Sequence, residues 1–281
     1  MKLWTKVIFP APDRVFLLSD RIVLLGSCFA DSIGRRMQGA GFDVMVNPFG
    51  TLYNPASLLS AVRRLDSDEP FRPKDCVEMG AGAGRICSFE HHTSFARESR
   101  EAFLENANAK LDEARAFWQS CNRVILTLGT SFVWYSGGRV VSNCLKRPAS
   151  EFTRKMLSPE ESAACLRSIM DAHPEKDFTI TVSPIRHMGD GAHANALSKA
   201  ALLLAADSCK QANYFPAFEI LNDELRDYRF YAEDLVHPSK QAEDYIWERF
   251  LETCTAKEEL QRIEENEKAA RRLAHRSILA E

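Results

Sequence analysis

Apolar residues occur in this chain as short strand-like runs, separated by longer stretches in which they recur every three or four positions. The runs Arg21 to Leu25, Phe42 to Val46, Arg123 to Leu128 and Phe178 to Val182 predict strands buried on both faces. The periodic stretches predict helices over Ala30 to Gln38, Pro55 to Leu65, Ser99 to Gln119, Pro159 to Ala172, Ala194 to Ala212 and Lys240 to Cys254. Ser158-Pro159-Glu160-Glu161 marks one helix start, with an N-cap, a proline in the first turn and acid beside the helix dipole. Strands alternating with helices predict the α/β class, a three-layer α/β/α sandwich around a doubly wound, mostly parallel sheet.

Two stretches break the alternation. Residues 66 to 92 carry Pro70, Pro73 and Gly80-Ala81-Gly82-Ala83-Gly84. They predict a loop with one short strand at most, laid over the sheet edge or the mouth of a site. The glycines neither follow a clear strand nor open a helix, and their spacing is wrong for a dinucleotide fingerprint, so they read as a flexible turn. From Lys257 to Glu281 the chain is dominated by Glu, Lys, Arg and Ala, and Leu260, Ile263 and Leu273 are too sparse for a core-facing helix. The expected organisation is one domain over residues 1 to 256 and a charged, solvated helical tail over 257 to 281.

Composition narrows the partners. With 281 residues, 45% of them hydrophobic, the chain can bury one large core. A net charge of -3 gives no basic footprint for nucleic acid. The stretch from Met1 to Arg14 lacks the apolar segment of a signal peptide, and Ala200 to Ala206 is too short to span a bilayer, so the expectation is a cytoplasmic protein without a membrane partner. Eight cysteines at 28, 76, 87, 121, 144, 165, 209 and 254 form no Cys-x-x-Cys pair. They read as buried thiols, and Cys87 with His91 and His92 falls short of a metal site. No metal or organic cofactor is expected.

Candidate chemistry starts at Gly26-Ser27-Cys28-Phe29-Ala30, where the first strand gives way to Ala30, Ile33, Met37 and Ala40 at helical spacing. In an open α/β sheet such a turn lines the ligand crevice, and the helix dipole adds positive charge. Ser27 is then either a helix N-cap or a nucleophile. Asp234-x-x-His237 and Asp190-x-x-His193 each space a carboxylate and an imidazole so that the acid orients the base, and spacing does not choose between them. The Ser27 N–H and the Gly50 N–H offer oxyanion donors. Arg186 and His187, just past the strand ending at Val182, are candidates for holding substrate. Cys28 is a second candidate nucleophile, since thiols at helix starts are activated, but only one of two adjacent residues can face the crevice.

Gly26 to Ala30 is also the signature of the GSCFA family. The likeness continues through Asn47-Pro48-Phe49-Gly50-Thr51-Leu52-Tyr53-Asn54-Pro55, Leu126-Thr127-Leu128-Gly129-Thr130, Asn143-Cys144, Thr181-Val182-Ser183-Pro184-Ile185-Arg186-His187 and Asp234-Leu235-Val236-His237-Pro238-Ser239. The chain thus resembles that family over roughly residues 20 to 255, and the family resembles a branch of the SGNH (GDSL-like) hydrolases. The resemblance implies an SGNH-like fold of flavodoxin-like topology and ester chemistry. It implies Ser27 as nucleophile and, because its Asp-x-x-His block precedes the last helix, Asp234 and His237 as the acid–base pair. It also implies a Gly-x-Asn amide in the oxyanion hole, whereas here Gly129-Thr130-Ser131 has no Asn. Thr130, Ser131, Asn143 or Asn54 are left to substitute.

The function this predicts is hydrolysis of a small-molecule or carbohydrate ester through an acyl-Ser intermediate. Two alternatives stay open: an O-acyltransferase that hands the same acyl group to a sugar, and a non-catalytic carbohydrate- or metabolite-binding module on the same fold. Neither the acyl group nor the oligomeric state can be read from the residues.

Overall fold

The computed structural model describes residues 4–278, so the first three residues of the N-terminal stretch and the last three of the charged tail lie outside the described residues. Five parallel strands form the central sheet: β1 (Arg21–Gly26), β2 (Asp43–Val46), β3 (Arg123–Leu128), β4 (Asp177–Val182) and β5 (Asn213–Tyr214). Their spatial order is β2-β1-β3-β4-β5, the flavodoxin-like order, which reverses direction between β1 and β3. Gly26 pairs with Thr127 and Leu128 with Val182, so β1, β3 and β4 end together at one rim.

Seven main helices among the described residues cover the sheet: α1 (Cys28–Ala40), α2 (Pro55–Asp66), α3 (Arg100–Ser120), α4 (Pro159–Asp171), α5 (Gly191–Ser208), α6 (Lys240–Cys254) and α7 (Leu260–Ile278). Period-2 alternation along the strands divides the core. Val23, Leu25, Val124 and Leu126 meet Leu58, Phe103, Leu166 and Leu202 from α2 to α5. Ile22, Leu24 and Ile125 meet Ile33, Met37, Ile246 and Phe250 from α1 and α6. This is the expected three-layer sandwich. The capping box predicted at Ser158 is present, with Glu161 N–H donating to Ser158 Oγ at 3.1 Å and Ser158 N–H to Glu161 Oε2 at 2.9 Å.

Four expectations change. The helix expected to run to Ala212 stops at Ser208, because the chain turns at Cys209 to place Asn213–Tyr214 beside β4. The tail is not wholly solvated: α7 buries Ile263, Asn266 Nδ2 donates to Ala40 O at 2.9 Å, and Trp247 Nε1 donates to Glu267 Oε1 at 2.7 Å. One apolar anchor with two hydrogen bonds therefore docks a helix whose sequence lacks an apolar stripe. The third change follows β3, where Phe132–Ser136, Arg139–Val141 and Thr153–Met156 form an antiparallel flap that the apolar runs do not reveal. Its signal lay in Gly137-Gly138, whose positive φ angles of 55° and 77° turn a hairpin between Phe132-Val133-Trp134-Tyr135 and Val140-Val141. The fourth is in residues 66 to 92, expected to hold one short strand at most: they hold two, Val77–Glu78 and Ile86–Cys87, paired as a small hairpin, and they back the flap, with Ser142 N–H donating to Phe89 O at 2.8 Å.

Candidate active site

A cleft of about 490 Å³ opens at the shared rim of β1, β3 and β4, with the flap as one wall. Crowding decides how the first turn presents its side chains. A Cβ on Gly26 would lie 2.2 Å from Thr127 O, so only glycine lets β1 pass β3 this closely. Ser27 follows at the N-cap position with extended φ and ψ of -69° and 176°, and it keeps the strand's sense. Its side chain is fully buried and forms no cap hydrogen bond; Ser27 Oγ has no partner among the described residues. Cys28, the first helical residue, turns outward and lines the cleft.

The Asp-x-x-His block meets Cys28, not Ser27. His237 Nε2 lies 3.3 Å from Cys28 Sγ, and His237 Nδ1 lies 2.6 Å from Asp234 Oδ2. Asp234 Oδ1 also accepts the N–H groups of Val236 and His237, both at 2.9 Å. The His237 N–H first, then its ring, hold the Asp234 carboxyl down at about 2. Burial raises the Cys28 thiol above its ordinary value, although the N–H groups of Cys28 and Phe29 point at the sulfur and oppose that shift. The resting group is therefore a thiol beside a base, not the pre-ionised thiolate expected of a helix start. Asp190 is occupied elsewhere: Arg154 Nη2 binds its Oδ2 at 2.5 Å, and His193 is exposed. Of the two spaced pairs, Asp234 and His237 are hydrogen-bonded to each other and His237 lines the cleft beside Cys28.

Other expected site residues divide. His187, Thr130, Asn54 and Asn143 line the cleft. Asn143 Oδ1 accepts Leu145 N–H at 2.8 Å, and Asn54 Oδ1 caps α2 by accepting Ser57 N–H at 2.8 Å. The Thr130 hydroxyl is 3.0 Å from Ser198 Oγ and accepts Phe132 N–H at 3.2 Å, which ties it to the base of the flap. Ser131 is fully buried against the same Ser198.

Three assignments are corrected. Gly50 N–H donates to Asn47 O at 2.7 Å, closing a turn, so it is not a free oxyanion donor. Ser27 N–H donates to Thr127 O at 3.3 Å, which leaves the Cys28 N–H at the start of α1 as the donor beside the sulfur. Arg186 leaves the cleft: its Nη1 donates to Leu235 O at 3.0 Å and its guanidinium packs 5.4 Å from the Tyr231 ring centroid. There it holds the loop that carries His237, since Arg186 N–H also donates to Val236 O at 3.0 Å.

Sequence reasoning missed two supports. Asn47 Oδ1 accepts Gly26 N–H at 2.8 Å while its Nδ2 donates to Asp31 Oδ1 at 2.6 Å, bracing both sides of the Ser27-Cys28 turn. Lys199, fully buried on α5, donates to Gly129 O at 2.6 Å and Ser183 O at 2.7 Å, joining the ends of β3 and β4. Burial pushes its ammonium down to about 7. Lys199 shares the buried face of α5 with Leu202 and Ala206, and only the neighbouring strand ends show what its ammonium binds. Among the described residues no cluster of three His, Cys, Asp or Glu side chains is placed to hold a metal, and no helix is long and apolar enough to cross a membrane.

A doubly wound α/β sandwich with its cleft at the topological switch point between β1 and β3 is the class these features define. Within it, the chain belongs to the GSCFA family, whose description matches residues 21–250. No curated protein matches the chain. Among solved structures it is similar to a Streptococcus pneumonia protein provisionally called a platelet activating factor, at 12% identity over 83% of this chain and 84% of that one, with a TM-score of 0.39. It is also similar to a carbohydrate esterase family 2 enzyme with its carbohydrate binding domain from Corynascus thermopiles (Myceliophthora fergusii), at 14% identity over 88% of this chain and 67% of that one, with a TM-score of 0.38.

Proposed function

We propose that this chain hydrolyses acyl esters by covalent catalysis at Cys28, with His237 as general base and acid and Asp234 orienting it. The observation that carries the reading is the continuous relay from Cys28 Sγ to His237 (3.3 Å) to Asp234 (2.6 Å) at the rim of the cleft. His237 Nε2 takes the thiol proton, and Asp234 stabilises the imidazolium. The sulfur attacks the acyl carbon, and the Cys28 N–H at the start of α1 faces the developing oxyanion. His237 returns the proton to the departing alcohol, leaving a thioester. Water, deprotonated by the same nitrogen, then releases the acid and restores the thiol.

Carbohydrate esters are the substrate class that the walls favour. Phe132, Trp134 and Tyr53 give the cleft apolar ring surface, Asn143 Nδ2 remains to bond a hydroxyl, and the Arg154 guanidinium is neutralised by Asp190. Such a cleft suits a neutral polyhydroxy ligand better than an ionic one. The test is a panel of short-chain aryl esters and acetylated sugars, with mass spectrometry of the trapped protein. Acid release together with an acyl adduct on Cys28 is expected. Transfer to an added sugar faster than to water identifies an acyltransferase, and turnover that survives alkylation of Cys28 overturns the mechanism.

A further inference from the structure

The oxyanion hole needs a donor besides the Cys28 N–H. Gly50 N–H closes a turn, the Thr130 hydroxyl anchors the flap, and Ser131 is bonded to Ser198, while Asn54 and Asn143 spend their Oδ1 atoms on local N–H groups and keep Nδ2 for other partners. Among the described residues that line the cleft, one polar side-chain atom is both buried and without a partner. His187 Nε2 is buried and has no hydrogen-bond partner among the described residues. Buried imidazole nitrogens are seldom left unpaired, and an orphan that faces a cleft points to a group that arrives with the ligand.

Its position fits that role. A point one Cβ bond out from Gly129 lies 3.1 Å from His187 Nε2 and 3.4 Å from Ser27 Cβ. The imidazole therefore reaches across Gly129 to the turn that carries Cys28, and both His187 and Cys28 line the same cleft. The ring is held in place. His187 N–H donates to Asn195 Oδ1 at 2.9 Å, and the Tyr53 ring meets the imidazole edge-on, with centroids 5.8 Å apart.

We propose that His187, through its Nε2–H, is the oxyanion donor that replaces the amide missing from Gly129-Thr130-Ser131, a role that rests on Cys28 being the nucleophile. Burial, reinforced by Lys199, His237 and Arg154 and opposed by Asp190, pushes His187 down to about 4. The ring is then neutral at neutral pH and carries one N–H. A neutral donor at this place stabilises the oxyanion without forming an ion pair with the thiolate that precedes it. Gly129 keeps the gap open, because a Cβ there would press on His187 Nε2 and Tyr53 O, each 3.1 Å away.

The experiment compares ester turnover with alkylation of Cys28 by iodoacetamide, a displacement at saturated carbon that forms no oxyanion. His187→Leu, which keeps bulk without a donor, is expected to make turnover about 100-fold slower with KM little changed. His187→Gln, which restores an N–H, is expected to recover most of that loss, and the alkylation rate stays at the wild-type value in both. Gly129→Ala, which displaces the ring without removing it, should lower kcat in the same way. Wild-type kcat in His187→Leu, or a Gln variant as slow as the Leu variant while alkylation is intact, overturns the role of His187 alone. Turnover that survives Cys28→Ala overturns the nucleophile and this proposal with it.

Discussion

Cys28 Sγ and His237 Nε2 stand 3.3 Å apart across 209 residues of sequence, at the point where β1 becomes α1 and where the last loop enters α6. Ser27, one residue away, is fully buried, and its hydroxyl has no partner among the described residues. Under the proposed mechanism, that difference of one position makes the intermediate a thioester on Cys28 instead of an ester on Ser27.

Cys28→Ala should abolish ester turnover, by several orders of magnitude as in other nucleophile deletions. Ser27→Ala should slow turnover by less than about 10-fold and cost little stability, because the hydroxyl makes no cap bond. Steady-state rates with one aryl acetate check both, and the reverse order of damage would return the role to Ser27.

His237→Ala should be about as slow as Cys28→Ala, and the double variant little slower, since the two act as one unit. Asp234→Asn should also be slow, because the amide no longer fixes the ring that its carboxylate holds at 2.6 Å. His193→Ala should be silent. A large loss in His193→Ala would mean that Asp190 and His193 are the working pair.

Arg186→Ala should make turnover about 10-fold slower while the global melting temperature moves little. Its guanidinium binds Leu235 O at 3.0 Å, and without it the loop can carry His237 away from the sulfur. The rate of Cys28 alkylation at neutral pH should fall in parallel, because the base that removes the thiol proton is misplaced. Unchanged alkylation would leave Arg186 with no positioning role.

Thr130→Val should cost stability rather than catalysis. The hydroxyl binds Ser198 Oγ and Phe132 N–H, so its loss should lower ΔG of unfolding by roughly 1–2 kcal/mol. A denaturant melt measures that. Turnover slowed by about 100-fold at unchanged stability would instead make Thr130 the oxyanion donor.

His91 lies among Phe71, Phe95 and Phe103, and burial pushes it down to about 3. Its folded value is below its unfolded one, so between about pH 6.5 and 3 the unfolded chain binds the extra proton. Its contribution is complete above about pH 6.5 and is lost as pH falls through that window, at up to about 1.4 kcal/mol per pH unit. Chemical denaturation from about pH 7 to about pH 4.5 should give a shallower decline for His91→Phe than for wild type, and parallel curves would refute the assignment.

The alternation of strands and helices was legible because both faces of a parallel sheet are covered, which leaves β1, β3 and β4 buried almost end to end and rich in branched apolar residues. The antiparallel flap was not. Its strand Thr153–Met156 is exposed along its length, so no apolar pattern marks it, and only the Gly137-Gly138 turn signals the hairpin beside it. Missing the flap meant missing the wall of the cleft.

Legible in the sequence were the fold class, from local period, and a wider set of candidates that held Ser27, Cys28, Asp234, His237 and His187 beside Gly50, Thr130, Asn143, Arg186, Asp190 and His193, from turn residues, spacing and the family resemblance. Tertiary structure decided which of them meet. Whether Ser27 or Cys28 faces the imidazole depends on the extended backbone at Ser27 and on Thr127 O pressing against Gly26, a contact between neighbouring strands that lie far apart in the chain. Whether Arg186 holds substrate or a loop depends on where Leu235 O lies, and whether Gly50 N–H is free depends on the carbonyl of Asn47. Spacing in a chain limits what a side chain can reach, but the direction it takes is set by neighbours that only folding brings beside it.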